Sequence, residues 1–147
     1  MAVVDVCVDA VIPRPVEEVA EFAADPSNAP SWYANIESVE WLSPPPLAVG
    51  TRVAFVARFL GRRLAYTYEV VTYVPREMLV MRTMQGPFPM ETAYTWTPVD
   101  AGTRMSLRNR GEPAGFGSIT APLMAAAMKR ANTKDLASLS ALLRDRR

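Results

Sequence analysis

Apolar and polar positions alternate through the first part of the chain, Val3–Ile12. Val4, Val6 and Val8 share one side, and the residues between them are polar or small. Alternation with a period of two is typical of a β-strand with one buried face. The sequence therefore predicts a half-buried strand at this position.

Helical spacing follows this strand. Pro15 suits the first turn of a helix, and Asp25-Pro26 marks its end. A second short helix through Trp32 and Tyr33 is favoured, because the residues before it can cap a helix. We interpret Trp32, and Trp96 later in the chain, as core residues.

Most of the chain from Ile36 onward has the composition and alternation of strands. β-Branched and aromatic residues are concentrated there, and turn residues such as Leu60-Gly61 separate the segments. The predicted strands are Ile36–Leu42, Gly50–Phe59, Arg62–Val74, Met78–Thr83, Phe88–Thr97 and Thr103–Gly111. Short connections between consecutive strands predict an antiparallel meander.

The last segment, Ser118–Leu143, has the spacing of one long helix. Its apolar positions fall in one sector when residues are placed at about 100° steps. This sector contains Ala121, Met124, Ala125, Met128, Leu136, Leu139, Leu142 and Leu143. Because proline is tolerated only near the start of a helix, Pro122 predicts either a kinked first turn or a regular helix that begins around Thr120.

Two polar residues, Asn132 and Asp135, interrupt the apolar sector of this helix. Burying them without partners would cost about a few kcal/mol for the amide and more for the charge. A ligand, cavity water or a neighbouring hydroxyl group could satisfy them. Alternatively, a helix rotated by about 40° would place Asp135 at the rim of the interior, beside basic residues.

The order of these elements predicts one α+β domain covering residues 1–147. A strand, two short helices, a long antiparallel sheet and a terminal helix suit a helix-grip fold, in which a curved sheet wraps around the long helix. A chain of 147 residues is close to the common size of a single domain.

Several stretches resemble the START-related (SRPBCC) superfamily, and within it the polyketide cyclase/dehydrase and lipid-transport family. The resemblance rests on Ile12–Val19, on Asp25-Pro26 with Trp32, on Val70–Leu79, and on Thr95–Pro98 with Gly102-Thr103. It implies a fold with an internal cavity for lipids, polyketides, isoprenoid-like or other apolar molecules. It implies no shared catalytic residue, because members of the family differ widely in their chemistry.

A curved sheet facing one helix leaves either a filled core or a pocket between them. Strand parity and the helix sector indicate which side chains face this space. The candidate ligand-binding residues are Phe55, Tyr66, Tyr68, Met81, Met90, Tyr94, Leu107, Asn109, Met124, Met128 and Asn132. They suit an apolar ligand of about 300–1,000 Å³ with one or two polar groups. The competing interpretation is that the same side chains simply fill the core.

Composition excludes several kinds of chemistry. The chain has no histidine and a single cysteine, Cys7, so we expect no Ser–His–Asp or Cys–His catalytic system, no metal site and no internal disulfide. A net charge of +1 offers no field for nucleic acid, and no apolar run is long enough for membrane insertion. We expect a cytoplasmic protein that needs no cofactor.

Three functions remain open. The first is non-catalytic binding of a small apolar molecule, which the lack of a nucleophile–base pair favours. The second is cyclase or dehydratase chemistry on a polyketide-like substrate. Glu69, Glu91 and Asp135 are the available bases, but strand parity places Glu69 and Glu91 outward. The third is a protein-interaction module or homodimer that uses the outer sheet face, including Val71 and Tyr73.

A glycine-rich stretch, Gly111–Gly117, precedes the terminal helix. We interpret it as a connecting loop, because it lacks a phosphate-binding fingerprint. The alternative is a flexible gate into the interior, with Phe116 as a mobile plug.

Overall fold

The alternating segments form strands, and in the computed structural model, which describes residues 3–116 and 119–146, they build one antiparallel sheet. The strands are β1 (Val4–Ile12), β2 (Ile36–Trp41), β3 (Arg52–Phe59), β4 (Arg62–Val74), β5 (Met78–Gln85), β6 (Met90–Val99) and β7 (Gly102–Gly111). The helices are α1 (Val16–Ala24), α2 (Ala29–Trp32) and α3 (Ala121–Arg144), and a 3-10 turn (Pro26–Asn28) precedes α2.

The strand order is β1-β7-β6-β5-β4-β3-β2. Strands β2 to β7 form the expected meander, and β1 joins the far edge by pairing with β7, with Val6 opposite Asn109. The sheet curls into a half-barrel that holds α3 on its concave side, and the short helices follow β1. This architecture confirms the predicted helix-grip fold.

The boundaries of β5 and β6 differ from the prediction. β5 continues to Gln85, and Phe88 lies in the following loop instead of starting a strand. β6 runs on through Pro98, which lies opposite Thr103 and not in the turn. A proline near a strand end gives up at most one ladder hydrogen bond, which the pairing tolerates.

A bulge in β4 corrects one expectation about the outer face. Val70 lies opposite Met81, but Thr72 lies opposite Val80, so the pairing skips one residue of β4. Because an extra residue reverses the alternation of side chains, Tyr73 packs against the core and does not face outward. The prediction that Tyr73 belongs to an interaction surface on the outer sheet face is therefore wrong.

Helix α3 presents the predicted face to the interior, with one exception. It begins after Thr120 with Pro122 in its first turn, and the predicted start at Ser118 lies outside the described residues. Its buried residues are Met124, Met128, Asn132, Asp135, Leu136, Leu139 and Leu143. Leu142, predicted for this face, is 38 % exposed. Because Asn132 and Asp135 are both buried, the alternative of a rotated helix is wrong.

The C-terminal end of α3 is tied to the loop after β1. Arg14 Nε donates to the carbonyl oxygen of Leu143 (2.7 Å), and Arg14 Nη2 donates to that of Arg144 (2.9 Å). The last carbonyl groups of a helix have no partner within the helix, and a guanidinium group suits them. The hydroxyl group of Thr103 donates to the carbonyl oxygen of Arg14 (2.8 Å) and extends this connection to the β6–β7 turn.

Candidate ligand-binding cavity

A cavity of about 160 Å³ lies between the concave face of the sheet and α3. Residues from β3 to β7, from α3 and from the segment around α2 line it. Its volume is below the about 300–1,000 Å³ expected for a drug-sized ligand. A dry engineered cavity of about 150 Å³ accepts benzene, so the space suits a molecule of about the size of one substituted benzene ring.

The predicted ligand-binding residues converge on this cavity, except for Leu107. Those that line it are Phe55, Tyr66, Tyr68, Met81, Met90, Tyr94, Asn109, Met124, Met128 and Asn132. Leu107 has the correct parity but is fully buried in the core, away from the cavity wall. Its place in the sheet, between Val8 and Tyr94, puts it on the side where α3 packs close to β1.

Aromatic rings account for the small size of the cavity. Phe55 stacks on Tyr66 with ring centroids 5.5 Å apart, and Tyr68 meets the two rings edge-on at 5.7 and 5.1 Å. Each ring contributes both area and a favoured contact geometry. The sheet wall is therefore partly filled by its own side chains, as the core interpretation anticipated, while space remains beneath the helix.

The polar groups on the sheet wall bond to one another. Thr92 Oγ1 donates to Asn109 Oδ1 (2.5 Å), which leaves the Tyr68 hydroxyl group to donate to Thr92 Oγ1 (2.7 Å). Burial raises the pKa of Tyr68 to about 12, so this phenol is neutral at physiological pH. The hydroxyl hydrogens of Tyr68 and Thr92 are thus already used within the protein. Thr92 shares the inward parity of Met90 and Tyr94 on β6, but alternation along a strand does not identify hydrogen-bond partners.

A second pair of hydroxyl groups joins α2 to the sheet. The hydroxyl oxygens of Tyr33 and Tyr94 are 2.5 Å apart, and the ring of Tyr33 packs on Trp32 with centroids 4.0 Å apart. Burial raises the pKa of both tyrosines above the usual range. Only one hydroxyl hydrogen is needed for the bond between them, so the other can be donated to a ligand. Tyr33 was not among the predicted binding residues, since its place depends on the path of the chain after α1.

Asn132 places a buried polar atom without a hydrogen-bond partner on the cavity wall. Its side chain is 6 % exposed, and Nδ2 makes no hydrogen bond within the described part of the chain. Trp32 and Trp96 also bury an unpaired ring N–H group, but neither residue lines the cavity. Buried donors are normally satisfied, so an unpaired amide on a cavity wall indicates a bonding position for a ligand.

Asp135 lies one turn further along the same face of α3. It is 3 % exposed, and Oδ1 accepts a hydrogen bond from the backbone N–H of Ala34 (3.1 Å). Desolvation raises the pKa of Asp135 to about 6, and the Ala34 N–H group partly opposes that rise. Asp135 therefore lies inside and not at the rim, and an acid with a pKa near neutrality is a recurring feature of functional sites.

The two other candidate bases lie outside the cavity, as strand parity predicted. Glu69 pairs with Arg52 (3.2 Å), and Glu91 lies between Arg82 (2.7 Å) and Arg110 (2.9 Å) on the convex face. Hydrogen bonding, first from Arg82, lowers the pKa of Glu91. Neither carboxylate can reach a molecule beneath α3, which leaves Asp135 as the acid–base candidate.

Three phenylalanines, one at the end of β3 and two in separate loops, meet at one end of the cavity. The ring of Phe116 is 6.0 Å from that of Phe59 and 5.9 Å from that of Phe88. Arg62 lies over the ring of Phe116 at 5.6 Å and donates to the carbonyl oxygen of Ala114 (2.7 Å). Phe116 thus has the position of the suggested plug, while Gly117, the end of the suggested gate, lies outside the described residues.

No group of three His, Cys, Asp or Glu side chains in residues 3–116 and 119–146 is placed to share a metal ion. Within the same ranges, no helix is both long enough and apolar enough to cross a membrane.

Comparison with known proteins gives consistent matches over nearly the whole chain. The model of the polyketide cyclase/dehydrase and lipid transport family matches residues 3–144. A protein of Thermus thermophilus has a similar structure, with a TM-score of 0.81, 22% identity and coverage of 95% of this chain and 96% of that chain. None of the curated proteins matches the sequence.

Two similar structures have more informative names. The Zhui aromatase/cyclase from a Streptomyces species has a TM-score of 0.79 and 19% identity over 97% of this chain and 94% of its own. A START superfamily protein from Mycobacterium smegmatis has a TM-score of 0.80 and 13% identity over 97% of both chains. At these identities the likeness establishes the fold.

Proposed function

The chain belongs to the polyketide cyclase/dehydrase and lipid transport family, and we propose that it binds a small, mostly apolar molecule beneath α3 through a hydrogen bond from Asn132. The observation that carries this proposal is the unpaired Nδ2 of Asn132 on the wall of an apolar cavity. The cavity volume of about 160 Å³ supports a ligand of about the size of one substituted benzene ring, smaller than a whole polyketide or lipid.

The free energy of binding at this site favours a ligand that makes one hydrogen bond and otherwise only apolar contacts. A buried amide without a partner costs about 1–3 kcal/mol, and a ligand oxygen that accepts its N–H group recovers that cost. The remaining surface of the ligand would contact rings and thioethers, where the gain is about 25 cal/mol for each Å² removed from water. The hydroxyl hydrogens of Tyr68 and Thr92 are already used within the protein, so these two residues add shape more than hydrogen bonds.

Two probes of nearly the same shape test the role of Asn132. Acetophenone has a carbonyl oxygen, and α-methylstyrene has a methylene group in its place. We expect acetophenone to bind the wild-type protein about tenfold more tightly, since one buried hydrogen bond is worth about 1.4 kcal/mol. The change Asn132→Leu should remove this preference and raise the free energy of unfolding by about 1–2 kcal/mol. Calorimetry and urea unfolding measure the two effects.

The matched control is Met128→Leu, on the same face of α3, which keeps the wall apolar and should leave the preference for the ketone intact. Equal affinity for the two probes in the wild-type protein would contradict the assignment of Asn132. A more stable Asn132→Leu variant with unchanged preference would make this residue structural only. Failure of both probes to bind would count against the binding function as a whole.

A second candidate function, proton transfer next to a carbonyl group, is favoured by Asp135. A base should have a pKa near the working pH, and burial raises that of Asp135 to about 6. The free hydroxyl hydrogen of the Tyr33–Tyr94 pair could stabilise a developing enolate oxygen. This geometry is compatible with cyclase or dehydratase chemistry, the class to which the structurally similar Zhui protein belongs by name.

Exchange of the methyl hydrogens of acetophenone with deuterated water tests this second function. We expect the wild-type protein to accelerate the exchange over buffer, and Asp135→Asn to lower the rate about 100-fold, as loss of a general base does. Proton NMR follows the loss of the methyl signal. The change Asp100→Asn, at an exposed turn, alters the net charge equally and should leave the rate unchanged. An exchange rate equal to that in buffer would exclude catalysis on this probe.

A further inference from the structure

Asp135 is an acid with no basic neighbour on the cavity wall. Its one hydrogen-bond partner among the described residues is the backbone N–H of Ala34. The lining residues include no lysine or arginine, and the chain has no histidine. At one end of the cavity, the guanidinium group of Arg62 lies over the ring of Phe116 and donates to the carbonyl oxygen of Ala114. Among the described residues that line the cavity, Asp135 is therefore the one acidic group, and none is cationic.

An ionised carboxylate in this position lacks compensation. Removing a charge from water is costly unless a counter-charge and hydrogen bonds replace the lost hydration. The Ala34 N–H group provides one such bond, but the net pKa of Asp135 is still raised because desolvation outweighs it. A ligand with a positive charge would supply the partner that the protein itself does not.

Aromatic rings line the same cavity as this carboxylate. Tyr33 directly precedes Ala34, whose N–H group donates to Asp135, and the hydroxyl group of Tyr33 bonds to that of Tyr94. The charge of Asp135 also contributes to the raised pKa values of both tyrosines. Tyr68 and Phe55 continue the aromatic wall. Faces of aromatic rings attract organic cations, and a carboxylate beside them adds an ion pair. The phenols stay neutral, so they do not titrate together with Asp135.

We propose that the ligand is a small organic amine, whose ammonium group lies between the Asp135 carboxylate and the rings of Tyr33 and Tyr94. This inference rests on the proposed binding function and identifies the charged group of its ligand. Asn132, one helical turn away on the same face, donates to an acceptor atom elsewhere on that ligand. The same electrostatics disfavour carboxylates and phosphates, because Asp135 repels them and no basic side chain of the lining attracts them.

Three probes that share a phenyl ring and a two-carbon chain test the proposal at pH 7.5. These probes are 2-phenylethylamine (cationic), 2-phenylethanol (neutral) and phenylacetate (anionic). We expect the wild-type protein to bind the amine about tenfold more tightly than the alcohol, and phenylacetate least. The variant Asp135→Asn should bind the amine and the alcohol with similar affinity. The variant Asp100→Asn, with the same net charge, should keep the wild-type order.

A pH profile provides an independent measurement. Affinity for the amine should fall as the pH is lowered from 7.5 to 5, because Asp135 takes up a proton in this range. The titratable groups that interact with it are Tyr33 after α2 and Tyr94 on β6, and Tyr68 on β4 lines the same cavity. All three phenols keep their protons in this range. Affinity for the alcohol should change little over the same range.

Two outcomes would overturn the amine assignment. One is equal affinity of the wild-type protein for the amine and the alcohol, and the other is an amine preference that survives in Asp135→Asn. Binding of acetophenone through Asn132 would leave the binding function standing in either case. If neither acetophenone nor any of the three phenyl probes binds, the binding function fails as well, so the two failures are distinguishable.

Discussion

Replacing Asp135 by asparagine should raise the free energy of unfolding at pH 8 by about 2–3 kcal/mol. Burial raises the pKa of this acid from 3.8 to about 6, so the folded protein holds the proton more tightly than the unfolded chain. The stability gained from the protonated form is complete below pH 3.8 and is lost as the pH rises through 6. Asparagine stays neutral and escapes that loss, and its Oδ1 can still accept the Ala34 N–H.

Urea unfolding at pH 4, 6 and 8 measures this effect. The advantage of Asp135→Asn should be greatest at pH 8 and should nearly vanish at pH 4. Glu91→Gln is a control of opposite sign, because the arginines around Glu91 lower its pKa and its charged form stabilises the fold. That variant should lose stability at pH 8. A gain for Asp135→Asn that is the same at every pH would show that desolvation of the charge is not the cause.

The change Gly102→Ala should lower the free energy of unfolding by about 3 kcal/mol or more. Gly102 has φ +138, which L-residues rarely adopt. A Cβ atom there would lie 2.2 Å from the carbonyl oxygen of Ile12 and 2.8 Å from the backbone nitrogen of Arg14. Both contacts are with backbone, so no side-chain rotation relieves them. The β6–β7 turn would have to move away from the loop that anchors α3.

Gly61→Ala is the matched control. Gly61 also has a positive φ, +77, but no atom lies within 4 Å of the position of its Cβ. This change should therefore cost about 1–2 kcal/mol, the strain of a left-handed residue alone. Thermal or urea unfolding of the two variants separates the cost of backbone strain from the cost of the steric clash. Equal losses would mean that the close packing of Gly102 against Ile12 and Arg14 contributes nothing.

Most of the fold could be predicted from the sequence, because the hydrophobic positions of each strand or helix recur with the period typical of that element. The alternation through Val4, Val6 and Val8 and the apolar sector of α3 both follow from burial of one face, and the structure has both faces buried as expected. The bulge in β4 was missed, since an extra residue leaves the composition of a strand unchanged. Its consequence is local, as the reversed orientation of Tyr73 illustrates.

The candidate site could be predicted only as far as the alternation of side chains along each strand determines which residues face the cavity. Parity brought Phe55, Tyr68 and Tyr94 to one cavity, but it could not exclude Leu107, which shares the parity and lies where α3 closes on the sheet. Tyr33 reaches the cavity through a turn whose path no periodicity describes. The predicted cavity volume was too large, because the volume depends on how the aromatic rings pack, and periodicity does not describe that packing.

The chain of hydrogen bonds from Tyr68 through Thr92 to Asn109 has a consequence for how this protein can be altered. The hydroxyl hydrogens of Tyr68 and Thr92 on the sheet are committed, whereas Asn132 and Asp135 on α3 retain bonding capacity. Ligand preference can therefore be redesigned by exchanging residues on a single helix, while the strands that hold the domain together keep their sequence.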